Sequence, residues 1–299
     1  VVKIRTDEEE ELRERFGQFY SDSKLPVNQR IEKAVCGCCY GGVSWATRDE
    51  IDEIGKMLAL GPGDQLMDLG AGTGWPGLYL AQASGCDVTL SDLPLEGLVI
   101  AAERAKADDL AGAVHLAVAD GEALPCKDKS FDAITHSDVL CCLPGKLEVL
   151  RECRRVIKDE GQMVFSVIYS PQGLGEKETA DVIAAGPPFI VADMSYEDMF
   201  ALSGWSVKAK TRKTDEYLVA IKTSFRISAE SDASFEPGGR PETLKPGWVP
   251  AVPLLLQLKI RNAEWVKLIG PDPSLLAGRG CNLSGDRDLD PEGAADPFP

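Results

Sequence analysis

The 299-residue chain carries 48 Asp and Glu against 32 Lys and Arg, for a formal net charge of −16, and 44% of its residues are hydrophobic. That length supports one full α/β core with extensions, and so acidic a chain argues against a nucleic-acid groove, which needs clustered Lys and Arg. It contains no apolar run of about 18 residues and no signal-peptide pattern, so neither a membrane span nor secretion is expected.

In chain order, Thr6-Asp7-Glu8-Glu9 opens a first helix with a capping-box pattern and early acids that suit the helix dipole. That helix is predicted to end near Phe19-Tyr20, and a second runs from about Val27 to Val35. A Cys-rich turn, Cys36-Gly37-Cys38-Cys39, leads into the aromatic segment Tyr40-Gly41-Gly42-Val43-Ser44-Trp45. Thr47-x-x-Glu50 caps the next helix, whose Ile51, Ile54, Met57 and Leu58 share one face. After the turn Leu60-Gly61-Pro62-Gly63-Asp64, the apolar segment Gln65 to Leu69 reads as a strand.

The strand runs straight into Gly70-Ala71-Gly72-Thr73-Gly74-Trp75-Pro76-Gly77, a glycine turn followed by a helix start. Such a junction lets the backbone approach a ligand and aims free N–H groups at it. Two frames compete. Gly72-x-Gly74-x-x-Gly77, with Asp92 20 residues beyond Gly72, satisfies the dinucleotide fingerprint. Its first glycine should directly follow the strand, however, whereas Gly70 and Ala71 intervene. The frame Asp68-x-Gly70-x-Gly72-x-Gly74 fits better, and here the chain resembles the class I, Rossmann-like S-adenosylmethionine-dependent methyltransferases.

The resemblance runs from about Ala46 to about Thr211 and recurs at each strand end. Cys86 to Asp92 reads as a second strand, and the resemblance implies that Asp92 takes the ribose hydroxyls, with Leu93 beside it. Val114 to Ala119 reads as a third strand, and Asp120-Gly121-Glu122-Ala123-Leu124-Pro125 matches the family's acid-x-x-x-Leu-Pro pattern. Asp120 inherits contact with the adenine amino group, flanked by Gly121 and Glu122. Ser130 to Asp138 matches the fourth strand, which implies that His136 and Ser137 lie beside the methionine part of the cofactor. Leu147 to Ile157 and then Lys158 to Val167 match the family's helix, glycine turn and fifth strand. Taken alone, any one of these acids fits a turn or a helix cap. Three acids after three successive strands, where ligands of open α/β sheets sit, favour the binding role.

Further along, Pro171 to Ala185 is predicted to contain a helix, Ser195 to Leu202 forms another, and Trp205 to Thr211 alternates as a sixth strand. Thr214 to Ile221 fits either an antiparallel seventh strand or a helix capped by Thr214, and the spacing of Leu218, Ile221 and Phe225 favours the helix. Beyond Phe225 the chain is proline-rich and the resemblance lapses. Leu254 to Ile269 is predicted helical, with Leu255, Leu258, Trp265 and Ile269 at near-helical spacing, packed on its own domain. The last 20 residues, rich in Asp, Gly and Pro, read as disordered.

The expected fold is a three-layer Rossmann-like methyltransferase sheet: a helical lid at 1–46, the S-adenosylmethionine-binding domain at 47–224, and an irregular extension at 225–299. The cofactor set is Asp68, Gly70, Gly72, Gly74, Asp92, Leu93, Asp120, Gly121, Glu122, His136 and Ser137. The expected activity is methyl transfer to a small-molecule O, N or C acceptor by in-line displacement. His136 is the first candidate for a general base, because imidazole is best matched to neutral pH, with Asp138 and Tyr40 behind it. In similar enzymes lid tyrosines line the acceptor pocket, which nominates Tyr20, Tyr40, Ser44 and Trp45. An NAD-dependent oxidoreductase, or a binding protein of the same fold without turnover, remains open. The nine cysteines, mostly in segments that read as buried, suggest reduced thiols and a cytoplasmic location. The Cys36 cluster lacks a second pair at zinc spacing, so no metal is expected; packing as small apolar groups is favoured over a thiol-bound metalloid acceptor. Val1 in place of Met is read as the loss of a short leader or tag.

Overall fold

A computed structural model describes residues 5–40, 46–187, 189–232 and 262–270. Three helices precede the first strand: α1 (Asp7–Asp22), α2 (Pro26–Cys36) and α3 (Arg48–Leu58). Thr6 caps α1 and Thr47 caps α3, each in a reciprocal capping box with the glutamate at the third helical position.

The central sheet alternates with helices in the order β1 (Gln65–Leu69), α4 (Gly77–Ser84), β2 (Asp87–Asp92), α5 (Leu95–Ala107), β3 (Val114–Val118), β4 (Phe131–Ser137), α6 (Lys146–Val156) and β5 (Ile157–Tyr169). It continues through α7 (Glu176–Ala185), α8 (Tyr196–Leu202), β6 (Ser206–Arg212), α9 (Thr214–Asp232) and β7 (Asn262–Ile269). The strands lie in the order β3-β2-β1-β4-β5-β7-β6. β1 to β5 are parallel, and β7 runs antiparallel between β5 and β6. The connections leave β1 toward β3 on one side and resume at β4 on the other, so a topological switch point lies at the carboxyl ends of β1 and β4. Ligand crevices of open α/β sheets form there.

Each face of the sheet has its own core, as expected for a parallel sheet buried on both sides. Met67, Ile134, Phe165 and Leu268 pack against Val149 and Leu150 of α6 and Met199 and Phe200 of α8. On the other face Leu66, Val88, Leu90 and Val164 pack against Ile51 and Ile54 of α3, Leu78 of α4 and Leu98 of α5. Trp205 is anchored between the two halves of its layer by an indole N–H donated to the Leu150 carbonyl at 3.0 Å.

The helix favoured for Thr214 to Ile221 is present as the start of α9. Leu254 to Ile269 departs from expectation: over the described part of that segment the chain is strand β7, not helix. Val266 and Leu268 are buried while Lys267 and Ile269 are half-buried, a period-2 pattern that the wider 3.6-residue spacing obscured. β7 also lies past the domain boundary expected at 224/225, so the sheet is completed by residues from the expected extension. The disorder expected for the last 20 residues lies outside the described residues.

Candidate active site

The glycine loop is fixed to the neighbouring strand before any ligand is considered. Gly70 and Ala71 N–H both donate to the Ser91 carbonyl of β2, at 2.7 and 3.1 Å. Gly72 adopts φ +51°, and a Cβ built there would meet the Tyr20 ring at 2.8 Å. Left-handed backbone and a close neighbour together leave room for glycine alone. Gly70 and Gly74 also have positive φ, +67° and +100°. At the start of α4, Gly77 N–H donates to Asp68 Oδ2 at 2.8 Å, which ties the last turn of β1 to the helix dipole.

Asp68 is fully buried, and its Oδ1 has no hydrogen-bond partner among the described residues. Burial raises its pKa to about 8, against the lowering effect of the Gly77 amide. Asp92, at the end of β2, accepts from Gly72 N–H at 2.6 Å and Tyr20 O–H at 3.1 Å on Oδ2, and from Leu93 N–H at 2.7 Å on Oδ1. Burial lifts its pKa to about 6, opposed first by the Gly72 amide. Asp120, beyond β3, accepts from Glu122 N–H at 3.1 Å and from the Arg5 guanidinium at 3.3 Å. A Cβ built on Gly121 would meet Val149 and Leu69 at ordinary contact distance. The strand ends thus bring together the loop, Asp68, Asp92 with Leu93, and the Asp120–Glu122 turn.

His136 has a different setting from the one expected of a base. It is 1% exposed and stacks on Phe165 with ring centroids 4.3 Å apart, within the core on the α6 and α8 side. Neither ring nitrogen has a partner among the described residues, and burial lowers its pKa to about 3. So weak a base, sealed from solvent, is poorly placed to take a proton at neutral pH. Polar chemistry at the β4 exit lies one turn further on. Asp138, at φ +56°, receives Ser166 O–H on Oδ1 at 2.9 Å, and Ser166 is also 3.0 Å from Ser137 Oγ.

The lid candidates separate. Tyr20 reaches the Asp92 carboxylate, as above, and is not positioned as an isolated acceptor contact. Tyr40 donates its phenol to Asp108 at 2.9 Å, its carbonyl receives Thr73 O–H at 2.9 Å, and its ring lies beside Trp75 and the Arg104 guanidinium. Those contacts make it a clamp between the lid and the glycine loop. Ser44 and Trp45 lie outside the described residues. Arg5, Ser166 and the Tyr20–Asp92 pairing escaped the sequence reading, because contacts across 115, 28 and 72 residues leave no local pattern. Among the described residues no group of three or more His, Cys, Asp or Glu is arranged to hold a metal ion.

The strand order defines a Rossmann-like α/β fold, whose ligand crevices form at the carboxyl ends of the strands. Residues 67–165 match the family model for the methyltransferase domain. Over that segment the chain is similar to the class I, Rossmann-like methyltransferases. It is 30% identical over 156 residues to 27-O-demethylrifamycin SV methyltransferase of Amycolatopsis mediterranei (strain S699), covering 51% of this chain and 57% of that protein. It is 34% identical to demethylmenaquinone methyltransferase of Clavibacter sepedonicus, over 41% of this chain and 49% of the relative. The chain spans about half the length of the curated relatives it matches. Among solved structures, the [4+2]-cyclase SpnF superposes with a TM-score of 0.66 at 20% identity, over 85% of this chain and 94% of that one. Agreement at that identity concerns the fold, which hosts more than one reaction. Among the described residues no helix is long and apolar enough to cross a membrane.

Proposed function

We propose that this chain transfers a methyl group from S-adenosylmethionine to a small-molecule O, N or C acceptor, in the cytoplasm. The observation that carries the reading is the convergence of Asp68, Asp92 and Asp120 with the Gly70–Gly74 loop at the carboxyl ends of β1, β2 and β3. The groups suit this donor. Asp68 has a buried carboxylate oxygen lacking a partner among the described residues, and a cationic ligand group nearby would favour its ionised form. Asp92 is held by two backbone amides, which leaves acceptor capacity for the two hydroxyls of a ribose. Asp120 offers a carboxylate for an exocyclic amine. The catalytic unit in this reading extends from Thr47 to Ile269, with α1 over its ligand edge.

S-adenosylmethionine, when bound, supplies a methyl already activated on a sulfonium. The chain's own task is then to orient an acceptor behind that methyl and to exclude water, and good orientation alone supplies roughly 7–11 kcal/mol. An acceptor that must lose a proton would meet Asp138 at the β4 exit, not His136. The test is calorimetry with S-adenosylmethionine, S-adenosylhomocysteine and NAD, followed by a metabolite screen for acceptor-dependent S-adenosylhomocysteine release. Binding of the first two, reduced at least tenfold by Asp92→Ala and by Asp120→Ala, is expected. Retention of NAD with no affinity for either adenosyl ligand would overturn the reading.

A further inference from the structure

The two acids assigned to adenosine are both engaged, and both by the same element. Arg5, at the entry to α1, pairs with Asp120 at 3.3 Å. Tyr20, in the last turn of α1, donates to Asp92 at 3.1 Å. α1 therefore spans the edge where β2 and β3 end.

The Tyr20 ring has a fitted slot. It is 4% exposed. A Cβ built on Gly72 would come within 2.8 Å of the ring, and a Cβ on Gly97 of α5 within 2.8 Å of its Cδ2. The space that Gly72 keeps clear for close approach of a ligand is thus filled by a side chain of the protein. Gly17 on α1 faces the Glu96 carboxylate of α5.

Acceptor counting makes the contact exclusive. A carboxylate offers about four lone-pair sites. On Asp92, the Gly72 and Leu93 amides take two and Tyr20 takes a third. Two ribose hydroxyls need two sites, and one is left. Burial keeps Tyr20 protonated, so it persists as a donor at any ordinary pH.

We infer that α1 is an internal competitor for the adenosine half of the donor site, with Tyr20 in the place of a ribose hydroxyl and Arg5 in the place of the adenine amine. The inference rests on the adenosine assignment made under Proposed function. Donor binding has to displace Tyr20 from Asp92 and Arg5 from Asp120, and the measured affinity is the intrinsic one reduced by the fraction of molecules in which α1 has let go. α1 is then more than a cover that closes after binding: its own contacts set how much free donor is needed.

The probe is S-adenosylhomocysteine, titrated into the full chain and into Tyr20→Phe, Arg5→Ala and the double variant. Tyr20→Phe retains the ring and removes only the competing hydroxyl, and Arg5→Ala removes a partly exposed ion pair, so both should fold. Tyr20→Phe is expected to bind about tenfold tighter, as for loss of a hydrogen bond to a charged group. Arg5→Ala is expected to bind about threefold tighter. In the unmodified chain, hydrogen exchange across 7–22 should speed up when the ligand saturates. Equal or weaker binding by Tyr20→Phe, or slower exchange in α1 on saturation, overturns the competitor while leaving the adenosine assignment in place. No binding by the unmodified chain or any variant removes the adenosine assignment, and the competitor with it.

Discussion

At residue scale, His136 shows how a plausible chemical role can be displaced by burial. An imidazole at a strand exit looks like a base in the sequence, because nothing local says which face of the sheet it joins. In the structure it is packed on Phe165 with two ring nitrogens lacking partners among the described residues, and a buried polar atom left unsatisfied costs about 1–3 kcal/mol. Replacement by an apolar side chain of similar size removes that cost and forfeits a ring stack worth about 0.5–1.5 kcal/mol. His136→Leu is therefore expected to raise stability at pH 7 by about 1 kcal/mol and to leave S-adenosylhomocysteine affinity unchanged. Denaturant titration and calorimetry check this, and a large loss of ligand affinity would return His136 to the site. Asp68, Asp92 and Asp120 were legible for the opposite reason. Asp68 lies near the end of β1, Asp92 closes β2 and Asp120 sits two residues past β3, and ligands of open α/β sheets bind at such strand ends. The contacts of Tyr20 with Asp92 and of Arg5 with Asp120 left no local pattern, because the partners are distant in sequence.

At the scale of elements, the helices and strands from Asp7 to Arg212 follow the sequence reading closely, since capping boxes, glycine turns and apolar strands are all local; the exception is β5, which runs through the glycine turn expected at Lys158 to Gly161 and shifts register against β4 there. β7 is different. Its eight residues pair with β5 on one side and β6 on the other, so the requirement for a strand comes from the gap in the sheet and not from the segment's own spacing. Without it, β5 and β6 would each lose a neighbour, and buried Val266 and Leu268 would be removed from between them. A chain ending at residue 224, where the sequence placed the domain's end, is accordingly expected to lack cooperative unfolding. Within the intact chain, Leu268→Ala should cost about 2–5 kcal/mol, as for other fully buried leucines. Thermal unfolding followed by circular dichroism distinguishes the outcomes: a sharp transition in the 1–224 chain would mean that β7 is peripheral to the core.

Over the whole molecule, the buried groups of the site impose a pH dependence whose sign follows from proton counting. Asp68 has a folded pKa raised to about 8, so from its ordinary carboxylate range up to that value the folded state holds a proton that the unfolded chain has released. Stability falls as pH rises through this window. Asp92, raised to about 6, adds a fall that is complete near that pH. His136, lowered to about 3, works the other way: below its ordinary value the unfolded chain binds the extra proton, so stability rises with pH and levels off near pH 6.5. Lys146, lowered to about 8 by burial, contributes a rise only above that value. Between about pH 6.5 and 8, Asp68 is the member of this set that governs the slope, and stability should drop by roughly 1–2 kcal/mol across that interval. Melting temperatures measured across the window should fall in the unmodified chain and stay level in Asp68→Asn, whose side chain can still accept from Gly77 N–H but has no proton to lose. A cationic donor beside Asp68 favours its ionised form, so binding near pH 7 should release a proton, visible as a binding enthalpy that changes with the buffer's ionisation enthalpy. A level profile in the unmodified chain, or a slope that survives Asp68→Asn, would place the titrating group elsewhere and detach the buried carboxylate from the donor site.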